Sequence, residues 1–385
     1  MWQTDETQPE RPLVDWTARQ IHDPVWRLRY LQSVAPPPSH KARWKSWKTL
    51  GLLTLLVVGL VVAPQSMRVF GAANAASPVP PALPPVSRLE PVAVSATAYS
   101  PAPDVWPVDK NSHFEVYSNG LRIENQYAVS HRPRAYVAYI YDNPDGTTGE
   151  RRSTPAGIVY HTTESLQAPF ESSQNSLLKR VGESLLDYVR RRRCYNFVID
   201  RFGRVFRIVN ESDAADHAGH SVWADDRYFY INLNDSFIGI SFEAQTGAGE
   251  SMTSAGSAQV RAAAMLTEML RSRYKIPAGN CVTHAQVSVN PSNMQIGYHV
   301  DWASSFPFEK LGLPDNYATP SPAVSLFGFG FDTGYEQRAG VRLAAGAVEA
   351  DRGLMESARK AHLSIAAYRK TLHSRFRKIM ASQRG

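Results

Sequence analysis

The chain has 385 residues, of which 43% are hydrophobic and 20% charged, proportions that are ordinary for a globular protein. A formal net charge of +7 favours an anionic partner, such as nucleic acid, a membrane surface or an acidic cell-wall polymer. Two cysteines, Cys194 and Cys281, are too few for a disulfide scaffold or a cysteine-based zinc knuckle.

The N-terminal part of the chain carries signals for export and tethering. Residues 1–48 are polar and end in the basic cluster HKARWKSWK, and the apolar run of residues 49–67 follows. Basic residues kept on the cytoplasmic side predict a single transmembrane signal-anchor with the rest of the chain periplasmic or extracytoplasmic. A buried core helix and a cleaved signal peptide, cut after Ala73-Asn74-Ala75, are the alternatives. Residues 68–108 are rich in Pro and Ala, which predicts an extended linker.

Residues 109–320 alternate between strand-like and helical patterns. The turn signal Asn119-Gly120 lies between two alternating runs and predicts a β-hairpin over 113–124. Periodicity predicts further strands at 134–141, 157–161, 195–209 (two strands around a Gly203 turn) and 236–245, and amphipathic helices at 176–193 and 257–276. The predicted class is α/β (or α+β), with a central mixed β-sheet flanked by helices and preceded by the N-terminal membrane helix.

Residues 321–385 form a separate basic segment. A Gly- and Phe-rich connector leads into a helical pattern over 337–382, and no acidic residue occurs from Arg359 onward. Its apolar stripe could pack on the domain or lie against a membrane surface or a charged polymer. The run Arg190–Arg193 suits a helix C-terminus, as a solvated face or as a contact for anionic glycan or lipid. No motif reads nucleic-acid bases, so we expect no nucleic-acid partner. Nothing here indicates an oligomeric state.

Two histidines end strand-like segments. His161 follows the apolar run of GIVYHTTES (157–165), and His284 lies in GNCVTHAQV (279–287). Imidazoles on neighbouring strand ends can converge on zinc, which in a catalytic site takes a third protein ligand and keeps one position open. Spacing alone is weak support, because two distant histidines can equally be unrelated.

Six short blocks extend this pattern: GIVYHTTES, YNFVIDRFGRVFRIV, DHAGHS, FIGISFEAQ, CVTHAQV and GYHVDW. Over about 155–310 their order resembles the zinc-dependent N-acetylmuramoyl-L-alanine amidases, a superfamily that includes phage-lysozyme amidases and peptidoglycan recognition proteins. The resemblance implies that family's fold and a Zn²⁺ cofactor. It also implies peptidoglycan as substrate, cut between N-acetylmuramic acid and L-alanine.

The resemblance also implies roles for single residues. His161 and His284 match the first two zinc ligands. Tyr195 matches a catalytic Tyr that could hydrogen-bond the attacking water or the oxyanion, although it could simply cover the core. Ser241 stands where some bacterial members have a catalytic Glu, and Glu243 is therefore a fallback general base.

The block DHAGHS (216–221) resembles the family's substrate groove. Its residues His217, Gly219 and His220 are predicted to contact the muramyl peptide. The alternative is a tight loop in which His217 binds a backbone carbonyl.

The chain departs from the family at the third zinc ligand. In the family an Asp or Cys closely follows the second His, and the matching spacings here hold Ser292 and Met294, or Gln295 if Asp301-Trp302 is the anchor. We predict that His299 completes a three-histidine site. Asp301 is the alternative ligand.

The absence of any third ligand is the other alternative. It would leave a catalytically inactive peptidoglycan-binding module, and a structural envelope spacer is a further possibility. Cys194 and Cys281 flank the proposed site. They are open to a disulfide, to two buried thiols or to zinc ligation.

Overall fold

The computed structural model describes residues 102–141, 148–246 and 255–382. The segment 1–48 and the predicted membrane segment 49–67 lie outside these ranges, as does most of the linker. Within the described ranges, no helix combines the length and the apolar character needed to cross a bilayer.

Seventeen strands occur in the described ranges, most of them short. In chain order they are β1 (Pro107–Lys110), β2 (Phe114–Tyr117), β3 (Arg122–Glu124), β4 (Arg132–Pro133), β5 (Tyr136–Ile140), β6 (Gly149–Arg152), β7 (Gly157–Thr162), β8 (Phe197–Ile199), β9 (Val205–Arg207), β10 (Asp213–Ala214), β11 (Val222–Ala224), β12 (Tyr228–Ile231), β13 (Phe237–Phe242), β14 (Cys281–Thr283), β15 (Val289–Asn290), β16 (Gln295–Ile296) and β17 (Gly330–Phe331).

The central sheet has eight strands in the order β1-β2-β3-β9-β8-β13-β7-β14. It is mixed, as predicted: β8, β13, β7 and β14 run parallel, whereas β1-β2-β3 and β8-β9 pair antiparallel. The predicted hairpins around Asn119-Gly120 and Gly203 are therefore confirmed, and both glycines have positive φ. An antiparallel sheet β11-β12-β5-β6, a pair β10-β4 and a small sheet β15-β16-β17 complete the β-structure of these ranges.

Eight α-helices accompany the strands in the same part of the chain. They are α1 (Asn175–Arg192), α2 (Leu233–Ser236), α3 (Ser257–Tyr274), α4 (His284–Val287), α5 (Pro322–Phe327), α6 (Thr333–Arg338), α7 (Val341–Lys360) and α8 (Ile365–Ser382). The predicted helices at 176–193 and 257–276 correspond to α1 and α3. The continuous pattern predicted over 337–382 is divided instead, because the chain turns at 361–364 between α7 and α8.

Helices cover both faces of the central sheet, which explains why its parallel strands are buried along their whole length. On β7, Ile158 and Tyr160 belong to one core cluster with Leu266 of α3. Val159 points the other way and joins a second cluster with Phe237. Because side chains alternate along a strand, His161 shares the face of Val159.

The C-terminal helices pack on the domain through the apolar stripe of the sequence pattern. Leu372, Phe376 and Ile379 of α8 are buried, and the Phe376 ring contacts the rings of Phe327 and Phe329 with centroids 5.2 and 5.1 Å away. Of the alternatives left open for this segment, packing on the domain is the one observed for these three residues.

Candidate active site

His161 and His284 meet at the carboxyl edge of the central sheet. Strands β7 and β14 are parallel neighbours, with Thr283 paired to Tyr160, so the next residue of each strand lies at the same level. The two imidazole rings lie with centroids 4.4 Å apart, and both are buried. The expected convergence of two histidines more than a hundred residues apart is confirmed.

Asp301 lies between the two imidazoles. Its Oδ2 is 3.2 Å from Nδ1 of His161, and its Oδ1 is 2.9 Å from Nδ1 of His284. One ligand atom from each of the three residues lies within 4.8 Å of the other two, and all three residues are buried. Two histidines and one carboxylate thus converge on one point.

His299 does not take the position predicted for it. Its ring stacks on that of His284, with centroids 4.5 Å apart and an interplanar angle of 21°. The converging group of potential metal ligands consists of His161, His284 and Asp301. His299 is therefore not in the converging group, and the alternative ligand Asp301 lies between the first two rings instead, held there by the contacts of Trp302.

The position of Asp301 is held by its neighbours in the chain and in space. Its carbonyl accepts a hydrogen bond from the Ala285 N–H at 3.2 Å, which ties it to the residue after His284. The indole N–H of Trp302 donates to the His161 carbonyl at 3.0 Å, and the Trp302 carbonyl accepts from the Tyr317 hydroxyl at 2.7 Å. Both flanking contacts keep the carboxylate aimed at the histidines.

The extra length before Asp301 forms a hairpin. Strands β15 and β16 pair antiparallel, with Val289 opposite Ile296, and close a turn at residues 291–294. The chain therefore returns to the site only at Asp301, seventeen residues after His284. Ser292, at a spacing where the family has its ligand, is exposed near the tip of that hairpin.

The electrostatics of the cluster suit a cation. Burial, followed by the neighbouring His284, lowers the pKa of His161 to about 4, so this imidazole is neutral at pH 7 and keeps a lone pair. Burial opposes ionisation of Asp301, yet His284 and His161 beside it hold the pKa of its carboxyl well below the usual range. The site therefore presents the anionic carboxylate of Asp301 beside the neutral imidazole of His161.

These residues fit a zinc ion. Catalytic zinc commonly takes two imidazoles and one carboxylate, and two ligand atoms of a tetrahedral zinc lie about 3.3 Å apart. The distance from His161 Nδ1 to Asp301 Oδ2, 3.2 Å, is close to that separation. In addition, Nε2 of His284 is buried without a hydrogen-bond partner, which is a rare condition for a buried polar atom.

Tyr195 lies beside the cluster. Its ring centroid is 5.2 Å from that of His161, and its backbone has the left-handed φ of 61° that turns the chain from α1 into β8. Burial raises the pKa of its phenol above the usual range, so the hydroxyl keeps its proton. The structure thus places this predicted catalytic residue next to the first histidine.

The three residues predicted to bind substrate do not share one environment. His217 is half-buried, and its Nδ1 is 3.1 Å from Nε2 of His161. Gly219 has a φ of +50° and is exposed, as is His220, whose carbonyl accepts from the Val289 N–H at 3.0 Å. His217 therefore belongs to the histidine cluster, whereas Gly219 and His220 lie on the surface beside it.

Glu243 has a different neighbourhood. Its Oε2 accepts a hydrogen bond from the Arg201 N–H at 3.2 Å, and burial raises the pKa of its carboxyl. It lines a cavity of about 430 Å³ together with Phe170, Arg201 and Gln259. Its hydrogen-bond partner and its surroundings belong to this cavity, so its role as a general base stays a prediction.

The cysteines are not paired. Cys194 is half-buried and Cys281 is buried, and both thiols are free. Burial raises the pKa of Cys194 to about 11 and that of Cys281 to about 12, so both stay protonated at neutral pH. The group of converging potential ligands contains neither, so of the three alternatives the structure has two free thiols.

Sequence reasoning ranked Asp301 below His299 and missed three supporting residues: Gly239, Asn234 and Trp302, each of which fixes a histidine of the cluster. One signal could have found the aspartate. Asp301 is the only carboxylate in the sequence between His284 and Glu309. No comparable signal marks the other three, because each contacts a residue that is distant in the sequence: Gly239 and Asn234 contact His217, and Trp302 contacts His161.

Part of the chain matches a known family model. Residues 151–296 match the profile of Amidase_2, described as N-acetylmuramoyl-L-alanine amidase. The matched segment contains both histidines of the site and ends five residues before Asp301. A search of curated protein sequences finds no significant match.

Several solved structures are similar in outline. AmpDh3 from Pseudomonas aeruginosa, in complex with anhydromuramic pentapeptide, is 21% identical with a TM-score of 0.31, over 41% of this chain and 58% of that one. AmiD from E. coli, in complex with anhydro-N-acetylmuramic acid-L-Ala-D-gamma-Glu-L-Lys, is 19% identical with a TM-score of 0.36, over 64% of this chain and 98% of that one. Drosophila PGRP-LB is 14% identical with a TM-score of 0.26, over 43% and 86%.

The family match and the histidine pair at the ends of β7 and β14 agree on the same part of the chain. Both lie in the segment that carries the six blocks of the sequence pattern. Residues 151–296 of this chain, which carry both histidines, match the family model described as N-acetylmuramoyl-L-alanine amidase.

Proposed function

We propose that this chain is a zinc-dependent peptidoglycan amidase that hydrolyses the amide bond between N-acetylmuramic acid and L-alanine. The family match supports the reaction. The observation that carries the proposal is the convergence of His161, His284 and Asp301, whose ligand atoms lie within 4.8 Å of one another.

The chemistry of the donor set supports zinc. When bound by these three residues, Zn²⁺ supplies a Lewis acid that polarises a carbonyl and lowers the pKa of water. His161 is suited to hold it because burial keeps the imidazole neutral. Asp301 is suited because the pKa of its carboxyl stays low, so one negative charge offsets part of the charge of the cation.

Tyr195 has the position and protonation state of an oxyanion donor. Its phenol lies beside His161 and retains its proton because burial raises its pKa. A neutral hydroxyl held at the edge of the cluster can donate a hydrogen bond to the carbonyl oxygen as negative charge develops there. The surface residues Gly219 and His220 would contact the more distant parts of the muropeptide.

The proposal is tested with the purified full-length chain and a defined muropeptide. We expect release of peptides with a free L-alanine amine, loss of this release after treatment with a chelator, and recovery when zinc is added back. Zinc content by mass spectrometry should be close to one ion per chain. A metal-free chain that releases no amine but still sediments with peptidoglycan would replace the amidase with the catalytically inactive binding module.

We also propose that residues 49–67 anchor the chain in a membrane, with the domain extracytoplasmic. The support is the sequence alone: an apolar run after a basic cluster at 40–48. Fusions of a periplasmic reporter enzyme after residue 108 should be active, and removal of 49–67 should abolish that activity. Mass determination of the exported chain distinguishes a retained anchor from cleavage near Ala75.

A further inference from the structure

His217 lies next to the group of His161, His284 and Asp301 and contacts His161. Its Nδ1 is 3.1 Å from Nε2 of His161, and its Nε2 is 3.2 Å from the Phe237 carbonyl oxygen. The His161 and His217 rings meet edge to face at an interplanar angle of 80°, with centroids 5.2 Å apart. The His217 imidazole thus bridges the first strand of the site and the start of β13.

The contact of His217 with the Phe237 carbonyl determines where the protons of His217 and His161 lie. A carbonyl oxygen only accepts, so Nε2 of His217 carries its proton toward Phe237. In a neutral ring Nδ1 of His217 is then an acceptor, and Nε2 of His161 must be the donor. The proton of His161 is therefore on Nε2, which leaves a lone pair on Nδ1.

That lone pair faces a carboxylate. Nδ1 of His161 is 3.2 Å from Oδ2 of Asp301, so two acceptors point at each other without a proton between them. Such an arrangement is unfavourable alone and favourable around a shared cation, because each acceptor then becomes a ligand. In the tautomer that His217 favours, Nδ1 of His161 carries no proton and is free to bind a metal.

The His217 ring has little freedom to leave this position. A Cβ on Gly239 would lie 2.6 Å from Cγ of His217, so only glycine at that place on β13 leaves room for the imidazole. The Asn234 side-chain oxygen accepts from the N–H groups of His217 and Ala218, at 2.9 and 2.6 Å. Packing and hydrogen bonds therefore fix the loop that carries His217 from two sides.

We propose that His217 is a positioning residue: it selects the Nε2–H tautomer of His161 and so leaves Nδ1 free for the metal. This inference rests on the proposed metal site, and it replaces the expectation that His217 contacts substrate directly. Removal of a residue that hydrogen-bonds to a metal-binding histidine typically weakens metal affinity by about 10- to 100-fold.

The first test measures zinc affinity of the full-length chain by competition with a chromophoric chelator. His217→Ala should raise the dissociation constant by about 10- to 100-fold. His217→Asn should recover most of the loss, because its side-chain oxygen can accept from His161 at the place of Nδ1. His113→Ala, an exposed histidine remote from the cluster, should keep wild-type affinity.

The second test reads the tautomer directly in the metal-free, ¹⁵N-histidine-labelled chain. Long-range ¹H–¹⁵N correlation spectra should show His161 protonated at Nε2 in the wild type and in His217→Asn, and a mixture of tautomers in His217→Ala. Wild-type zinc affinity together with an unchanged His161 tautomer in His217→Ala would overturn the inference.

Neither readout depends on hydrolysis. Inactivity toward muropeptides together with the expected tautomer and affinity changes would therefore refute the amidase and retain the positioning role. Thermal unfolding of each variant reports whether it is folded. If His217→Ala does not fold, His217→Asn decides the matter: it should keep the Nε2–H tautomer of His161, and a mixture of tautomers would refute the inference.

Discussion

At the scale of single residues, the site depends on which side chain follows the hairpin after His284. His299 and Asp301 are separated by one residue, yet one ring stacks on His284 while the other side chain lies between both histidines. Trp302 makes the difference, because its indole N–H is bonded to the His161 carbonyl and its backbone to Tyr317.

The assignment of the third ligand predicts different effects for two neighbouring substitutions. Asp301→Asn should reduce zinc affinity by more than about 100-fold, because loss of a residue that only hydrogen-bonds to a ligand already costs about 10- to 100-fold. His299→Gln should change it by much less, since its ring only stacks on a ligand. Chelator competition with both purified variants measures this, and the opposite order would make His299 the ligand.

Tyr195 allows a second prediction at this scale. Tyr195→Phe should lower kcat by about 100- to 1,000-fold, the usual effect of removing one oxyanion donor. Zinc content and the thermal midpoint should stay close to wild type, because the ring itself is retained. Steady-state kinetics with a muropeptide and metal analysis of the same samples check this. Unchanged kcat would leave Tyr195 as an aromatic that only covers the core.

At the scale of elements, a buried ionic cluster joins the N-terminal hairpin to the central sheet. Glu115 of β2 accepts hydrogen bonds from Tyr117 at 2.6 Å and from Arg207 of β9 at 3.0 Å. Arg207 also pairs with Glu211 at 2.8 Å, and the exposed Lys110 pairs with Glu115 at 3.1 Å. Apart from Lys110, all of these side chains are buried. The hairpin is thereby bound to β9 by charge as well as by strand pairing.

This cluster predicts a pH dependence of stability. Burial alone would raise the pKa of Glu115, but hydrogen bonding and the charge of Arg207 lower it from 4.5 to about 2. The folded pKa is below the unfolded one, so the stabilisation is complete above pH 4.5 and is lost as the pH falls toward 2. Its full size is about 3 kcal/mol, and about half of it is gone at pH 3.

Urea unfolding of the wild type and Glu115→Gln at several pH values measures this effect. The difference in unfolding free energy between the two proteins should shrink as the pH falls from 6 to 3. Glu124→Gln, which loses only a partly exposed pair with Arg122, should show little pH dependence. A constant difference for Glu115→Gln would mean that its carboxyl is not held ionised by Arg207.

At the scale of the whole molecule, α7 and α8 add a C-terminal layer to the domain. Buried side chains of α8 contact α5, and neither α7 nor α8 contributes a residue to the group of His161, His284 and Asp301. The basic charge of this segment lies on exposed positions such as Lys370, Arg377 and Lys378. Substitutions in this layer should therefore change the stability of the domain without changing zinc binding or catalysis.

Phe376→Ala tests that separation. Removal of a buried phenylalanine ring should lower the unfolding free energy by about 3 to 5 kcal/mol. Zinc affinity measured below the unfolding transition should stay unchanged. Leu363→Ala is the matched control, since Leu363 is 44% exposed and should cost less than about 0.5 kcal/mol. Equal thermal midpoints for the two variants would contradict the observed packing of α8.

The sequence by itself determined the mixed sheet, the helices α1 and α3, and the meeting of His161 with His284. The strands and helices follow from local periodicity, and the meeting of the two histidines follows from the strand-like run before each of them together with the resemblance of the six blocks. Only the tertiary structure decided that Asp301 is the carboxylate between them and that His217 contacts His161. Those contacts depend on the β15–β16 hairpin, on the space that Gly239 leaves for His217, and on the hydrogen bond from the Trp302 indole to the His161 carbonyl. None of these has a periodic signal, because each joins residues that are distant in the chain.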